Sequence, residues 1–354
     1  MKRRKLRELY NYGWMYALWW NRTLGRLILN RILPALRWEI YPPFLEIEPT
    51  TVCNLKCVMC EHTYWSEPPR NMTFEEFKAI VDQFPRLKWL GLTGIGSSFL
   101  NKDYLRMIKY VKSRGVLVEI VDTFNHVDEE TLRELIGIEP DILFVSVYGA
   151  TKETYEKVCV GGNFSRVMQN IETFVKLKKE MKTLLPVLNF HYIVSRLNLG
   201  EVASFLKFVQ DLDSEVGEVL ITPLLHSFKE VEGLRVELDG RQIDFFKREA
   251  ERLGVRLDYN VAVPRGERAP VNHCVEWIMP FIFVTGHVIP CCAENEANAR
   301  EFQKKTSMGN VFKQSFREIW YGEKYRSLRK MLREGKVPPP CVNCPIYRVE
   351  SFKA

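Results

Sequence analysis

Three cysteines near the start of the chain have the spacing of a group that could hold an inorganic centre. Cys53, Cys57 and Cys60 form a C-x3-C-x2-C pattern that directly follows the apolar-alternating segment 44–48. Thiolates on one short loop can fill three sites of a four-iron cube and leave the fourth iron open for chemistry. The alternative interpretation is a structural zinc site that is completed by a distant fourth ligand.

A second group of cysteines lies in the last quarter of the chain. Its members flank two short apolar runs, 281–284 and 288–290, or form a CxxC pair near the end of the sequence. They are Cys274, Cys291, Cys292, Cys341 and Cys344. Cys274, Cys341 and Cys344, together with either Cys291 or Cys292, make a complete four-thiolate set. Such a set suits zinc or a fully ligated iron–sulfur cluster.

The number and grouping of the cysteines favour metal ligation over disulfide bonds. Nine cysteines are many for a cytosolic enzyme, and all but one of them fall into the two groups. Scattered structural disulfides would not cluster in this way. The remaining one, Cys159, is interpreted as a small core residue.

The elements that would position the first cysteine group alternate between short apolar runs and amphipathic helices. The predicted strands are 44–48, 89–93, 116–121, 142–147, 187–194 and 219–223. A capping box at Thr73 and Glu76 begins the first helix. Six strand-then-helix units predict parallel strands with right-handed crossovers, and thus an α/β fold of the partial (β/α)6 TIM-type barrel class. The cysteine loop follows the first strand, at the end where barrel active sites lie.

The first forty residues differ from the rest of the chain in charge. They hold nine basic and two acidic side chains, a charge of +7, which leaves 42 basic and 42 acidic groups of the total of 51 and 44 for residues 41–354. Aromatic residues are interleaved with the cations, and apolar residues recur at helical spacing between Leu24 and Leu36. Arg22, Arg26 and Arg31 interrupt the apolar runs, so that none reaches the roughly 18 residues of a spanning helix.

Two placements are open for this amphipathic helical segment. Trp and Tyr together with Arg on a helix suit a bilayer interface, which predicts peripheral contact with an anionic membrane. The helices could equally pack on the enzyme body or on a partner subunit. Nothing else in the sequence supports nucleic-acid binding, and no signal peptide with a small-residue cleavage site is evident. The predicted location is cytoplasmic with peripheral membrane association.

Changes in composition and in the pattern of apolar residues along the chain predict four regions. Residues 1–40 form the basic aromatic segment and 41–235 the partial barrel, while 236–270 is a connecting helical region and 271–354 is the domain of the second cysteine group. A chain of 354 residues is long enough for a barrel followed by a smaller domain.

The three-cysteine loop after the first strand of six βα units resembles the radical S-adenosylmethionine (SAM) superfamily. The resemblance implies that Cys53, Cys57 and Cys60 ligate a [4Fe–4S] cluster whose open iron binds SAM. Met59, which precedes the third cysteine, stands where members of the superfamily contact the adenine.

The resemblance extends to the ends of the later strands, where members of the superfamily bind SAM. The glycine-rich stretch that meets the SAM amino group matches Gly94, Ile95 and Gly96, although Ser97 replaces its usual acidic residue. Other positions with an implied role in SAM binding are Thr123, Asn125, Ser146, Tyr148 and Arg196. An arginine at the last position is a planar, two-pronged partner for the SAM carboxylate.

The second cysteine group and its surroundings resemble the SPASM auxiliary-cluster domain. The likeness covers Cys274, the turn at Gly286, the segments 309–311 and 318–320, and the CxxC pair. It implies one auxiliary [4Fe–4S] cluster with a role in electron transfer or structure. The implied ligands are Cys274, Cys291, Cys341 and Cys344, with Cys292 as the competing choice.

The two resemblances together imply a radical reaction. SAM would be cleaved reductively to a 5′-deoxyadenosyl radical that removes hydrogen from an unactivated carbon, with a reductant such as ferredoxin or flavodoxin. The basic aromatic segment favours an isoprenoid ether membrane lipid as the substrate, with a carbon–carbon bond formed between hydrocarbon chains, as in archaeal tetraether-lipid radical SAM enzymes. A peptide-modifying radical SAM/SPASM maturase and a non-enzymatic zinc-binding scaffold are the alternatives.

Overall fold

Most strands join one large sheet in the computed structural model, which describes residues 10–20, 22–212, 216–224, 226, 228–262, 274–342, 344 and 349–353. In chain order the strands are β1 Phe44–Ile47, β2 Lys56–Cys57, β3 Trp89–Leu92, β4 Leu117–Asp122, β5 Ile142–Ser146, β6 Cys159–Val160, β7 Val187–Val194, β8 Val216–Pro223, β9 Leu257–Ala262, β10 Phe281–Ile282, β11 His287–Ile289, β12 Gly309–Asn310 and β13 Val349–Lys353. The strand order in the sheet is β12-β11-β10-β1-β3-β4-β5-β7-β8-β9-β13, and β2 pairs with β6 in a separate ribbon.

Seven neighbouring strands, from β1 to β9 without the ribbon strands, run parallel. Val, Ile, Leu and aromatic residues dominate them, as expected for strands whose faces are both covered. Six of the seven are the predicted strands, and they confirm the α/β class with parallel order. The seventh, β9, lies in the region predicted to be connecting and helical, and it extends the parallel order by pairing with β8.

The predicted helices follow the strands that were expected to precede them. The helices after residue 40 are α1 Phe74–Val81, α2 Tyr104–Ser113, α3 Glu129–Ile138, α4 Lys152–Val158, α5 Phe164–Glu180, α6 Val202–Asp211, α7 Gly240–Leu253, α8 Cys292–Ala297, α9 Arg300–Thr306, α10 Phe316–Tyr321 and α11 Glu323–Arg333. The capping box of α1 is confirmed, because the Glu76 N–H donates to Thr73 Oγ1 and the Thr73 N–H donates to Glu76 Oε2.

The two faces of the parallel sheet have different surroundings. Right-handed crossovers place the connecting helices on one face. Phe190 of β7 marks this helix face, since its ring packs 5.7 Å from Phe205 and 6.2 Å from Phe208 of α6. Residues that alternate with Phe190 therefore point to the opposite side, which we call the inner face. On β7 the inner-face residues include His191 and Ile193, which are only half-buried.

The C-terminal region is built onto the edge of this sheet. Strand β10 pairs in parallel with β1, with Phe281 opposite Glu46, and an antiparallel hairpin then leads to β11 and β12. At the other edge β13 pairs with β9. The strand order is linear among the described residues, so that the sheet is open.

The described part of the N-terminal segment, residues 10–20 and 22–35, is helical and packs on the enzyme body. Met15 and Leu29 are fully buried, and the Asn11 side chain donates to the carbonyl of Gly115 at 2.9 Å. Gly115 precedes β4, so the segment covers the amino ends of the parallel strands. Tyr16 and Trp38 remain exposed. In the described part of the chain, no helix combines the length and the apolar content needed to cross a bilayer.

A buried ion pair next to this segment allows a test of the fold. Lys112 Nζ lies 2.5 Å from Asp141 Oδ2, and both side chains are 3% exposed. Lys112→Met leaves a carboxylate buried without its cation, so we expect the free energy of unfolding to fall by about 3 to 5 kcal/mol. The exposed pair Lys207 and Asp211 provides the control, because Lys207→Met should cost less than about 1 kcal/mol. Equal shifts of the urea midpoint in the two variants would contradict this account.

Candidate active site

The first cysteine group lies on a loop that begins at the carboxyl end of β1 and is held by local hydrogen bonds. The Leu55 N–H donates to Cys53 Sγ at 3.4 Å, and the Cys60 N–H donates to the Cys57 carbonyl at 3.1 Å. A short 3-10 turn, Glu61–Thr63, follows Cys60, and the Thr63 hydroxyl donates to the same Cys57 carbonyl at 2.7 Å. The three thiols lie near one another, since Cys57 contributes to the raised pKa of both Cys53 and Cys60.

The environment of these thiols fits an iron–sulfur centre. Burial raises the pKa of Cys53 to about 11, and burial together with the neighbouring Cys57 and Cys53 raises the pKa of Cys60. Buried thiolates need a positive partner, and the iron ions of a cluster supply it. Among the described residues, no three Cys, His, Asp or Glu side chains are arranged to hold one single metal ion. The three thiols stay the predicted ligands of the SAM-binding cluster.

Cys159 lies beside this loop. Its position in the sequence, about 100 residues after the loop, did not predict this contact. It is buried, as predicted, and it stands opposite Cys57 in the antiparallel ribbon of β2 and β6. A hydrogen bond with the Cys159 thiol, followed by burial, raises the pKa of Cys57. A fourth thiol is thus in contact with one of the predicted cluster ligands.

The glycine-rich stretch after β3 packs directly against the cysteine loop. A Cβ atom on Gly96 would lie 2.5 Å from the Thr50 carbonyl oxygen and 2.8 Å from that of Val52, so only glycine fits there. The Ser97 N–H donates to the Val52 carbonyl at 2.9 Å. The stretch predicted to meet the SAM amino group is thus held next to the predicted cluster ligands.

A carboxylate that was not predicted from the sequence stands next to Ser97, the residue that replaces the usual acid of the glycine-rich stretch. Asp122, the last residue of β4, accepts hydrogen bonds from the Ser97 hydroxyl at 3.3 Å and from the Ser98 N–H at 3.0 Å. Its side chain is buried, and burial raises its pKa. The sequence feature that could have predicted a role for Asp122 is its position at the end of a strand, among polar neighbours.

The other predicted SAM-binding residues are placed as follows. Met59 is buried in the loop, and the Asn125 side chain donates to the Tyr155 hydroxyl at 2.7 Å. Thr123 and Ser146 lie at the ends of β4 and β5. Burial raises the pKa of Tyr148, with further contributions from Cys57, Cys159 and Cys60, so its ring lies near the loop. Arg196 instead donates from Nε to the Arg235 carbonyl at 3.1 Å, and this contact directs it toward residues 234–235.

The second cysteine group converges at the opposite end of the sheet. Cys291 is buried, and burial together with Cys292, Cys274, Cys344 and Cys341 raises its pKa, which places all five thiols close together. Cys274 precedes β10 and Cys291 follows the antiparallel β11, so both lie toward the amino end of β1. The two groups thus lie toward opposite ends of β1, a strand of about 13 Å.

A network of hydrogen bonds around Arg300 and Glu48 connects the cysteine loop with the C-terminal region. Glu48 and Glu61, on either side of the three cysteines, contact Arg300 of α9, and the Glu48 carboxylate also accepts from the Val284 N–H at 3.2 Å. None of the three charged residues was predicted from the sequence to have a role. The contacts span more than 230 residues of sequence, so no local pattern could have revealed them.

Comparisons with known proteins agree with the two cysteine centres. Residues 47–209 match the Radical SAM superfamily, and residues 274–345 match the SPASM iron–sulfur cluster-binding domain. The chain is 24% identical over 330 residues to the tungsten-containing aldehyde ferredoxin oxidoreductase cofactor-modifying protein of Pyrococcus furiosus, covering 85% of this chain and 86% of that protein. The chain is also 32% identical over 84 residues to the S-adenosyl-L-methionine-dependent 2-deoxy-scyllo-inosamine dehydrogenase of Niallia circulans. This match covers 23% of this chain and 31% of that protein.

Solved structures share the fold of the chain. The structure of Streptococcus suis SuiB bound to S-adenosylmethionine has a TM-score of 0.66 at 12% identity, covering 85% of this chain and 70% of that one. The structure of anSMEcpe with bound AdoMet has a TM-score of 0.59 at 16% identity, and the match covers 82% of this chain and 81% of that one. The family matches support the radical SAM and SPASM domains, while the resemblance to tetraether-lipid enzymes stays a prediction.

The pairing of Cys57 with Cys159 predicts a specific oxidation product. The Val58 N–H donates to the Val158 carbonyl at 2.9 Å, so Cys57 and Cys159 form the adjacent non-hydrogen-bonded pair, with Cα atoms about 4.5 Å apart. That separation is within the range of disulfides. In protein stripped of iron and exposed to air, we expect dioxygen to oxidise this pair. Peptide mass spectrometry after alkylation should find the Cys57–Cys159 link, and a link between Cys57 and Cys53 or Cys60 instead would refute it.

Proposed function

We propose that this radical SAM iron–sulfur enzyme, which carries a SPASM domain, abstracts a hydrogen atom from an unactivated carbon of a polar substrate bound at the inner face of its sheet. Its cofactors are a SAM-binding [4Fe–4S] cluster, SAM and an auxiliary iron–sulfur cluster. The enzyme also needs a reductant, for which ferredoxin or flavodoxin is our proposal. The two regions that ligate the clusters are those of the two cysteine groups.

The polarity of the inner face is the observation that carries this proposal. Register pairing sets Ser146 opposite His191, and sets Glu119 of β4 opposite Ile142, on the same face. His191 Nε2 lies 2.9 Å from Thr222 Oγ1 of β8. Apolar residues such as Phe144 and Leu220 alternate with these polar groups across the sheet. Binding sites for small molecules commonly combine an apolar wall with a few convergent polar groups.

The protonation of these groups suits hydrogen bonding to a substrate. Burial lowers the pKa of His191 to about 4, so its imidazole is neutral at pH 7 and can both donate and accept. Burial, followed by the nearby Glu218, raises the pKa of Glu119 to about 7, so that its carboxyl group can also donate. A saturated hydrocarbon chain would cover the Glu119 carboxyl group without offering it a partner, which is unfavourable.

The protein residues bind and position the reactants and exclude water. When bound, SAM and its cluster would supply a radical able to remove hydrogen from an unactivated C–H bond. The tight contact of Gly96 with the loop backbone keeps the predicted SAM amino site against the cysteines. Tyr148, whose ring lies 6.2 Å from that of His191, joins the loop to the proposed substrate face. A polar substrate also agrees with the cofactor-modifying activity named for the Pyrococcus furiosus relative.

The second candidate is the membrane-lipid enzyme, which would join hydrocarbon chains of isoprenoid ether lipids. The exposed aromatic and apolar residues of the N-terminal segment favour it, since they suit a bilayer interface. They are Tyr10, Tyr16, Leu27, Ile32, Leu36 and Trp38. The position of the segment weighs against it. Asn11 contacts Gly115 at the amino end of β4, whereas the cysteine loop lies at the carboxyl end of β1.

Deuterium transfer can identify the class of substrate. Cells of the source organism are grown in D2O and separated into an aqueous fraction of peptides and cofactors and a lipid fraction. Each fraction is incubated anaerobically with the reconstituted enzyme, unlabelled SAM and dithionite. We expect singly deuterated 5′-deoxyadenosine with the aqueous fraction, and none with Cys57→Ala, which lacks one cluster ligand. Deuterium from the lipid fraction alone would replace the first candidate by the second.

A vesicle experiment tests the membrane role separately. Tyr16 and Trp38 are 57% and 67% exposed, so replacing both with serine should not disturb the packing of the segment. The second candidate requires the wild-type protein to co-sediment with phosphatidylglycerol vesicles and the double variant to lose most of that binding. From the position of the segment we expect instead that the double variant sediments as the wild type does. A clear difference between the two proteins would support the lipid candidate.

A further inference from the structure

One arginine of the C-terminal region is inserted into the base of the cysteine loop. Arg300, the first residue of α9, is 3% exposed, and its Nη2 donates to Glu48 Oε1 at 2.6 Å. Its backbone N–H donates to Glu61 Oε1, also at 2.6 Å. Glu48 directly follows β1, and Glu61 directly follows Cys60. Both ends of the loop are thus attached to one residue of another domain.

The packing around the guanidinium fixes its plane. The Arg300 guanidinium carbon lies 3.6 Å from the centre of the Phe283 ring and 5.2 Å from that of Trp65. Phe283 belongs to the C-terminal region, while Trp65 lies just after the cysteine loop. A planar cation between aromatic rings from two parts of the chain has little freedom to rotate.

Glu48 extends the contact to the stretch that is predicted to bind the SAM amino group. Its Oε1 lies 3.5 Å from the Ile95 nitrogen, at the limit of a hydrogen bond. A Cβ atom on Gly94 would lie 2.6 Å from Glu48 Cγ, so the stretch rests directly on this side chain. The Glu48 side chain is fully buried and also accepts from the Val284 N–H. Its position therefore affects the cysteine loop, the glycine stretch and the C-terminal region together.

We propose that Arg300 is a positioning residue through which the auxiliary-cluster domain sets the geometry of the SAM-binding cluster loop. Its guanidinium holds Glu48 under the glycine stretch, and its backbone holds Glu61 behind Cys60. Neither contact requires the substrate, so the proposal is independent of the substrate class. Loss of the guanidinium should displace the groups that bind SAM while the ligands of the auxiliary cluster stay in place.

Arg300→Met tests this role in the reconstituted full-length protein. The readouts are the dissociation constant of SAM by equilibrium dialysis, the iron content, and the change that SAM makes in the electron paramagnetic resonance spectrum of the reduced protein. We expect the dissociation constant of SAM to rise about tenfold or more, because small displacements of positioning groups have large effects. The spectral change on adding SAM should weaken as well.

Lys112→Met is the matched control, because Lys112 is an equally buried cation paired with a buried carboxylate at the amino ends of the strands. It should lower the melting temperature as Arg300→Met does, yet leave SAM binding and the spectrum as in the wild type. Should Arg300→Met fail to fold, Arg300→Lys keeps the charge but lacks the planar fork, and should raise the dissociation constant about threefold. If the Arg300 variants bind SAM as tightly as Lys112→Met does, the residue is only structural and the proposal is wrong.

Discussion

Strand β1 is the constraint on which both cysteine groups depend. It has four residues, all buried, and it pairs with β3 on one side and with β10 on the other. The three-cysteine loop begins beyond its carboxyl end, while the thiols that flank the β10–β11 hairpin gather toward its amino end. The backbone hydrogen bonds of β1 with β3 and β10 fix the strand in the sheet. They therefore also set where the two cysteine groups lie relative to each other. Sites supported by strands hold their geometry more accurately than sites on loops alone.

The arrangement at the two ends of β1 separates two kinds of environment. The carboxyl end opens toward the inner face, where His191 stands opposite Ser146, the last residue of β5, and lies beside apolar residues. The amino end is covered by the N-terminal helical segment, whose Asn30 side chain donates to the Cys274 carbonyl at 3.2 Å. The second cysteine group lies at this covered end, and β1 separates it from the cysteine loop. This placement agrees with a role of the auxiliary centre in electron transfer or structure rather than in binding substrate.

Features coded within a few residues were predicted well, and features that depend on distant partners were not. The capping box at Thr73 and the strand at 187–194 follow from local pattern, and both are observed. Strand β9 was missed because its sequence, LDYNVA, contains Asp and Asn, which strands disfavour, and its pairing with β8 overrides that preference. The contacts of Cys57 with Cys159 and of Arg300 with Glu48 cross 102 and 252 residues of sequence, and only the folded chain brings these partners together.

The pairing of β10 with β1 also bears on how the protein can be divided. A chain that ended after the barrel would leave β1 as an edge strand, with apolar side chains and with backbone groups that no neighbour satisfies. Edges of that kind pair with other chains and cause aggregation. The C-terminal domain therefore protects the sheet in addition to carrying cysteines. A barrel separated from it would lose solubility for a reason unrelated to iron, SAM or catalysis.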